Sequence, residues 1–359
     1  LYREGDYLSL MKEYIEKNLS VSDLENELLN LIKKYNQLNN RFLIIYASAI
    51  GKPIPDIVLT MDDYYVIYDI LRNEKAVDLD FYLETPGGSG EAAEEIVRFL
   101  RSKFDTVNFV VSGEAKSAGT ILVLSGDEIF MTNTGSLGPI DAQVKIGRSF
   151  QSAYDYIEWV KEKQKSKGRL TPFDALIVSQ ITPGELKGVY HSLNFAKDCV
   201  VDWLPKYKYK NWTRTRTRNI EVNEKMKKER AKEVVDKLLD RNRWRMHGRS
   251  IKINDLEEIG LQIKRIDDDP EMADIVYRIQ IVIKLIFNNS SQYKLFATEN
   301  NIISKSATSQ KTVNIPSPIS HDNVIANVDI RCPKCGKQYK LFAKFTDNKD
   351  LEEELRKKG

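Results

Sequence analysis

Between residues 77 and 124 strand and helix signals alternate around two glycine-containing breaks, and this alternation leaves few architectures open. Val77-Asp78-Leu79-Asp80-Phe81-Tyr82-Leu83 sets apolar side chains on alternate positions, the pattern of a strand with a well-buried face. Thr85-Pro86-Gly87-Gly88 breaks that strand, and Ser89 stands where it can cap a helix whose Ala93, Ile96, Val97, Leu100 and Phe104 share one face. Thr106 to Ser112 then predicts a second strand, Gly113 to Lys116 a short turn, and Ser117-Ala118-Gly119-Thr120 the start of an apolar helix through Leu124. A strand, a helix and a second strand joined by short connections predict a parallel pair with a crossover.

The two breaks also carry chemistry. Paired glycines let backbone N–H groups point outward where a Cβ would obstruct, so Gly87-Gly88 can aim a donor at a carbonyl oxygen. Ser117 at a helix start lies among free N–H groups and the positive end of the helix dipole, which favour developing negative charge. Together these are the two halves of an acyl-transfer site. The plainer alternative is that Ser117 only caps its helix and the glycines only turn the chain; their joint occurrence in a strand–helix–strand frame favours the chemical reading.

The flanking sequence extends the same frame. Arg41 to Ala47 is a near-continuous apolar run suited to a central strand, and Thr60-Met61-Asp62-Asp63 opens the helix after it. Repeated strand–helix units predict an α/β fold with a mainly parallel sheet. Residues 1–40 read as an N-terminal helical extension, with Leu24, Leu28, Leu31, Ile32, Tyr35 and Leu38 on one stripe and Ser22 as N-cap, packed on this domain or on a neighbouring subunit. Residues 41–270 read as the main domain, with helices from Leu186 to Trp203 and from Asn223 to Trp244, and a short one over Asp255 to Leu261 with Gly260 as its C-cap. Tyr277 to Leu285 alternates and reads as a strand, making 271–300 a β extension; 301–320, rich in Ser, Thr, Asn and Pro, reads as a linker; 321–359 is a small β-rich tail.

The segments RFLIIYASAIGKPI, ETPGGSG, AKSAGT, GSLGPIDAQ, KNW and HGRSI with DLEEIGL, spread from about Arg41 to Ile266, resemble the Clp/crotonase fold group. Within it they are similar to the serine peptidases related to signal peptide peptidase A and to the serine dehydrogenase proteinase family. The resemblance implies a Clp/crotonase-like spiral of βαβ units and a peptidase in which Ser117 is the nucleophile and the N–H groups of Gly88 and Ala118 form the oxyanion hole.

A serine hydroxyl needs a base to become nucleophilic. In the Clp proteolytic subunits a His follows the Ser; here Asp141 lies near that place, and the three His are His191, His247 and His321. In relatives of signal peptide peptidase A the base is a Lys, effective near neutral pH when burial lowers its pKa. Lys145 is the preferred base, ahead of Lys161, Lys163, Lys165 and Lys167, which read as a solvated face; Lys116 is expected to point away. His247 reads as structural or rim-forming and His191 as a core or surface residue. A chain with the serine and oxyanion hole but no competent base would be a silent peptide-binding or scaffolding subunit. Acyl-CoA chemistry of the crotonase type is a weaker reading, because it needs no serine at the helix start.

Composition narrows the remaining classes. The chain has 359 residues, 42% of them hydrophobic, enough for one large domain with extensions. Its 55 basic and 52 acidic residues leave a net charge of +3, which gives no general argument for nucleic acid or an anionic membrane. Lys206, Lys208, Lys210, Arg214, Arg216 and Arg218 interleave with Tyr207, Tyr209 and Trp212, a pattern able to bind single strands, but an exposed connection or subunit interface is the better reading. No apolar run approaches the roughly 20 residues of a membrane helix. The expectation is a soluble, cytoplasmic homo-oligomer acting on peptides, with the segment upstream of Leu1 left open. Serine chemistry of this kind requires no cofactor. Three Cys make no disulfide framework, but Cys332 and Cys335 form a CxxC knuckle that can hold half of a structural zinc site, with His321, Cys199 or a second knuckle to complete it.

Overall fold

The computed structural model describes residues 9–140, 143–146, 149–167, 171–180, 182–215, 217–307, 324–331 and 338–345. The chain divides into two units, Leu1–Ala307 and Thr308–Gly359. The first begins with helices α1 (Leu10–Glu16) and α2 (Val21–Asn39). Ser20, not Ser22, caps α2, because Asp23 stands three residues on: Ser20 Oγ accepts the Asp23 N–H at 3.2 Å and the Asp23 carboxylate accepts the Ser20 N–H at 3.0 Å.

Three strand–helix units follow. Strand β1 (Phe42–Ser48) leads to α3 (Met61–Leu71), β2 (Asp78–Glu84) to α4 (Gly90–Lys103), and β3 (Thr106–Val111) through the short β4 (Glu114–Ala115) to α5 (Ala118–Val123). Next come β5 (Ile129–Met131), β6 (Ser136–Leu137), the hairpin β7 (Gln143–Ile146) and β8 (Ser149–Ser152), and a helical stretch of α6 (Ala153–Lys167), α7 (Pro172–Val178), α8 (Pro183–Lys206), α9 (Glu224–Leu239), α10 (Arg241–Trp244) and α11 (Ile253–Ile259). The unit closes with β9 (Lys264–Arg265), α12 (Pro270–Asn288), β10 (Gln292–Ala297) and β11 (Ile302–Ser306).

The main sheet has the order β11-β10-β1-β2-β3-β5-β9, parallel from β1 to β9 and antiparallel at β10 and β11. Strands β1, β2 and β3 are buried on both faces, and the two-residue period sorts their side chains. Ile44, Tyr46, Leu79, Phe81, Phe109 and Val111 join a core under α3, α4, α5, α8, α9 and α11. Leu43, Ile45, Ala47, Tyr82 and Val110 join a second core under α1, α2 and α12. Leaving the main sheet, Thr85 bridges Ala115, and β4 pairs in parallel with β6.

Three further expectations are corrected. Tyr277 to Leu285 is helix, not strand: Asp269 caps α12, Pro270 occupies its first turn, and Ile275, Val276, Ile279, Val282, Ile283 and Ile286 keep helical spacing against the core. Within 301–320, residues 302–306 form β11, an edge strand registered on β10 through Ile302↔Ala297 and Ile303↔Phe296. The Asn223–Trp244 helix breaks at Asp240, whose backbone is extended and whose carboxylate accepts the Asn242 N–H at 2.9 Å. The basic-aromatic segment is in part the exposed connection expected, with Lys206, Lys210, Arg214 and Arg218 exposed, and is anchored on its own domain: Lys208 and Lys210 pair with Glu128 and Asp127 at 3.1 and 2.6 Å, Tyr209 is buried, and Arg101 stacks on Tyr207.

The apolar stripe of α2 is taken up within the chain by α12 and the β1 face, apart from Leu38, which is exposed. No helix among the described residues is long and apolar enough to cross a membrane. In the second unit, β12 (Val324–Arg331) and β13 (Gln338–Phe345) form an antiparallel hairpin. Cys332, Cys335 and His321 lie outside the described residues.

Candidate active site

The site forms where two loops leave the parallel strands. The Thr85 N–H donates to the Glu114 carbonyl at 2.7 Å and the Lys116 N–H to the Thr85 carbonyl at 3.0 Å, zipping the Thr85–Gly88 turn to the segment before α5. On its other side the turn pairs with Leu59, whose N–H donates to the Gly87 carbonyl at 2.7 Å and whose carbonyl accepts the Ser89 N–H at 2.9 Å.

Both glycines are required by space and by backbone. Gly87 has φ +106°, and a Cβ there would lie 2.6 Å from Ser117 Cβ; Gly88 has φ +147°, and a Cβ there would lie 2.5 Å from the Leu59 nitrogen. Ser117 is a non-glycine residue at φ +50° and ψ −115°, immediately before α5, and is half-buried. This is a costly conformation for an L-residue, and such strain collects where function demands it. Among the described residues nothing accepts the N–H of Gly88 or of Ala118.

A cleft of about 670 Å³ opens over these groups. Its floor is Pro86 to Gly90 with Ser117 and Ala118, its apolar wall is Ile121 and Ile140 with Leu193, Phe195 and Ala196 of α8, and His191 and His247 reach it as well. Ser117, Gly88 and Ala118 are thus brought together, as the sequence suggested. His247, read there as structural or rim-forming, and His191, read as a core or surface residue, also line the cleft. Lys145 lies on β7 opposite Phe150, but its side chain is outside the described residues, as is Asp141. Lys161 pairs with Glu158 at 3.0 Å and Lys163 with Asp174 at 3.5 Å, both on the α6 side.

Lys116, expected to point away, is buried and is not among the residues lining the cleft. Its ammonium donates to the carbonyls of Leu137 and Arg249 at 3.1 and 3.3 Å and to Ser250 Oγ at 2.9 Å, and burial lowers its pKa. It therefore fastens the loop after His247 to the residue beside Ser117. Glu84, at the end of β2, is a buried carboxyl that no motif marks. Burial pushes its pKa up to about 7, Tyr82 Oη donates to it at 3.3 Å, and a Cβ on Gly113 would lie 2.5 Å from its carboxyl carbon.

Comparison with known proteins gives relatives of two kinds. Two uncharacterised proteins of Methanocaldococcus jannaschii, MJ0137 and MJ1495, are 24% and 23% identical over 65% and 60% of this chain and 68% and 62% of their own lengths. Among solved structures, two variants of the 1510-N membrane-bound stomatin-specific protease are similar at 20% and 18% identity. One carries a serine-to-alanine change; the other carries a lysine-to-alanine change and is in complex with a substrate peptide. They cover 37% and 46% of this chain and 72% and 83% of theirs, each with a TM-score of 0.24. The family model of ClpP-like SDH-type serine proteinases matches residues 43–284, a span holding the parallel strands of the sheet, both loops and the cleft, and the chain belongs to that family.

Proposed function

We propose that this chain hydrolyses peptide bonds through Ser117. The observation that carries the reading is the strained Ser117 backbone at the start of α5, set in one cleft with the N–H groups of Gly88 and Ala118, which nothing among the described residues accepts. Ser117 Oγ adds to the scissile carbonyl while a base takes its proton, and the two N–H groups receive the oxyanion. Collapse of the tetrahedral intermediate expels the amine, which takes the proton from the base, and water then releases the acyl group by the reverse route.

Lys145 is the proposed base, with β7 following Ile140 of the cleft wall by a few residues. A second reading gives the proton to His247, favoured by its place in the cleft lining. The pH profile separates them. A lysine must be neutral to act, so activity would climb through and beyond pH 8, whereas a histidine base would reach a plateau above about pH 7. Assay of a peptide library with wild type and Ser117→Ala tests the reaction itself: the variant is expected to fold and to lose at least about 10³-fold in turnover. A folded wild type that cleaves nothing and binds peptides would favour the silent subunit.

A further inference from the structure

The position of Gly88 is set by Leu59, and the position of Leu59 is set by a buried ion pair contributed from far along the chain. Lys294 of β10 is 1% exposed and Asp63 of α3 fully buried, with Nζ and Oδ2 2.6 Å apart. These two groups hold the backbone on either side of Leu59. Lys294 Nζ donates to the Val58 carbonyl at 2.7 Å, and the Asp63 carboxylate accepts the Thr60 N–H at 2.9 Å and the Thr60 hydroxyl at 3.2 Å. Tyr46 Oη also donates to Asp63 at 3.1 Å. Leu59 between them makes both hydrogen bonds that frame Gly88. Only Val58 of this set reaches the cleft.

We propose that Lys294, with Asp63, is a positioning residue for the Gly88 oxyanion donor, acting through the Val58–Thr60 backbone. The inference rests on the peptidase reading above and extends it, because Lys294 lies outside the span matched by the family, residues 43–284. The antiparallel strand β10 is then part of the catalytic machinery's support as well as of the sheet. A donor that must meet an oxyanion within a few tenths of an ångström gains from a support with little freedom, and a buried, fully bonded ion pair supplies one.

The test compares steady-state kinetics and affinity for a peptide aldehyde in wild type, Lys294→Met, the double variant Lys294→Met/Asp63→Asn, and Lys305→Met. The double variant removes both fully buried charges together, leaving only the partly exposed Lys305 without its carboxylate partner. Lys305 is a partly exposed residue that reaches only the other Asp63 oxygen, at 2.9 Å, and serves as control. A positioning role predicts that the double variant loses at least about 10-fold in kcat and in aldehyde affinity, with KM for peptide changed by no more than about twofold. It also predicts that Lys305→Met stays near wild type. A folded double variant with wild-type kcat and aldehyde affinity overturns the proposal, and so does a loss confined to KM or thermal stability. A wild-type chain without hydrolysis overturns the peptidase reading, and this proposal with it.

Discussion

Gly88 carries two constraints at once, a positive φ and the close approach of Leu59. Gly88→Ala is therefore expected to cost about 1–3 kcal/mol of stability and, by moving an oxyanion donor, about 10²–10³ in kcat. Chemical denaturation and steady-state assays read the two effects separately. Glu84 makes a second prediction. Its folded pKa of about 7 lies above the usual value for a glutamate, because burial disfavours the carboxylate. The folded state therefore holds a proton there that the unfolded state has already lost, and stability falls as pH rises from about 4.5 to about 7. Glu84→Gln should remove roughly 3 kcal/mol of that fall, seen as a flatter plot of unfolding free energy against pH. An unchanged slope would show that another group titrates over this range.

At the scale of elements, the reading of α2 against α12 makes its own prediction. Leu28 is fully buried between them, and Leu28→Ala should cost about 2–5 kcal/mol without altering Ser117 chemistry. Retained specific activity with a lower Tm is the expected pair of results. These elements also show where the sequence was legible. The Gly87-Gly88 turn and the Ser117 helix start were readable because local backbone demands dictate the residue types. Strand β1 was readable because burial on both faces enforces a dense apolar run, and β2 because its apolar residues alternate, although the strand is buried on both faces. The α12 segment misled because β-branched residues alternating with polar ones over nine positions satisfy both periods, and only the Asp269-Pro270 start and the partner α2 decide for helix. The Lys294–Asp63 pair could not be read at all, since 231 residues separate partners that meet only after β10 docks beside β1.

For the whole molecule, every residue lining the cleft belongs to the Leu1–Ala307 unit. A chain ending at Ala307 should keep kcat/KM within about twofold of the full chain, as expected of a unit with its own core. Loss of activity on that truncation would give the Thr308–Gly359 unit a part in catalysis. The central claim is that Ser117 is an activated nucleophile rather than a helix cap, and covalent labelling tests it most directly. Wild type and Ser117→Ala are treated with a fluorophosphonate, digested, and mapped by mass spectrometry. The account predicts one stoichiometric adduct in wild type, on Ser117, and none in the variant. An unlabelled but folded wild type, or equal labelling of both proteins at another residue, would contradict it.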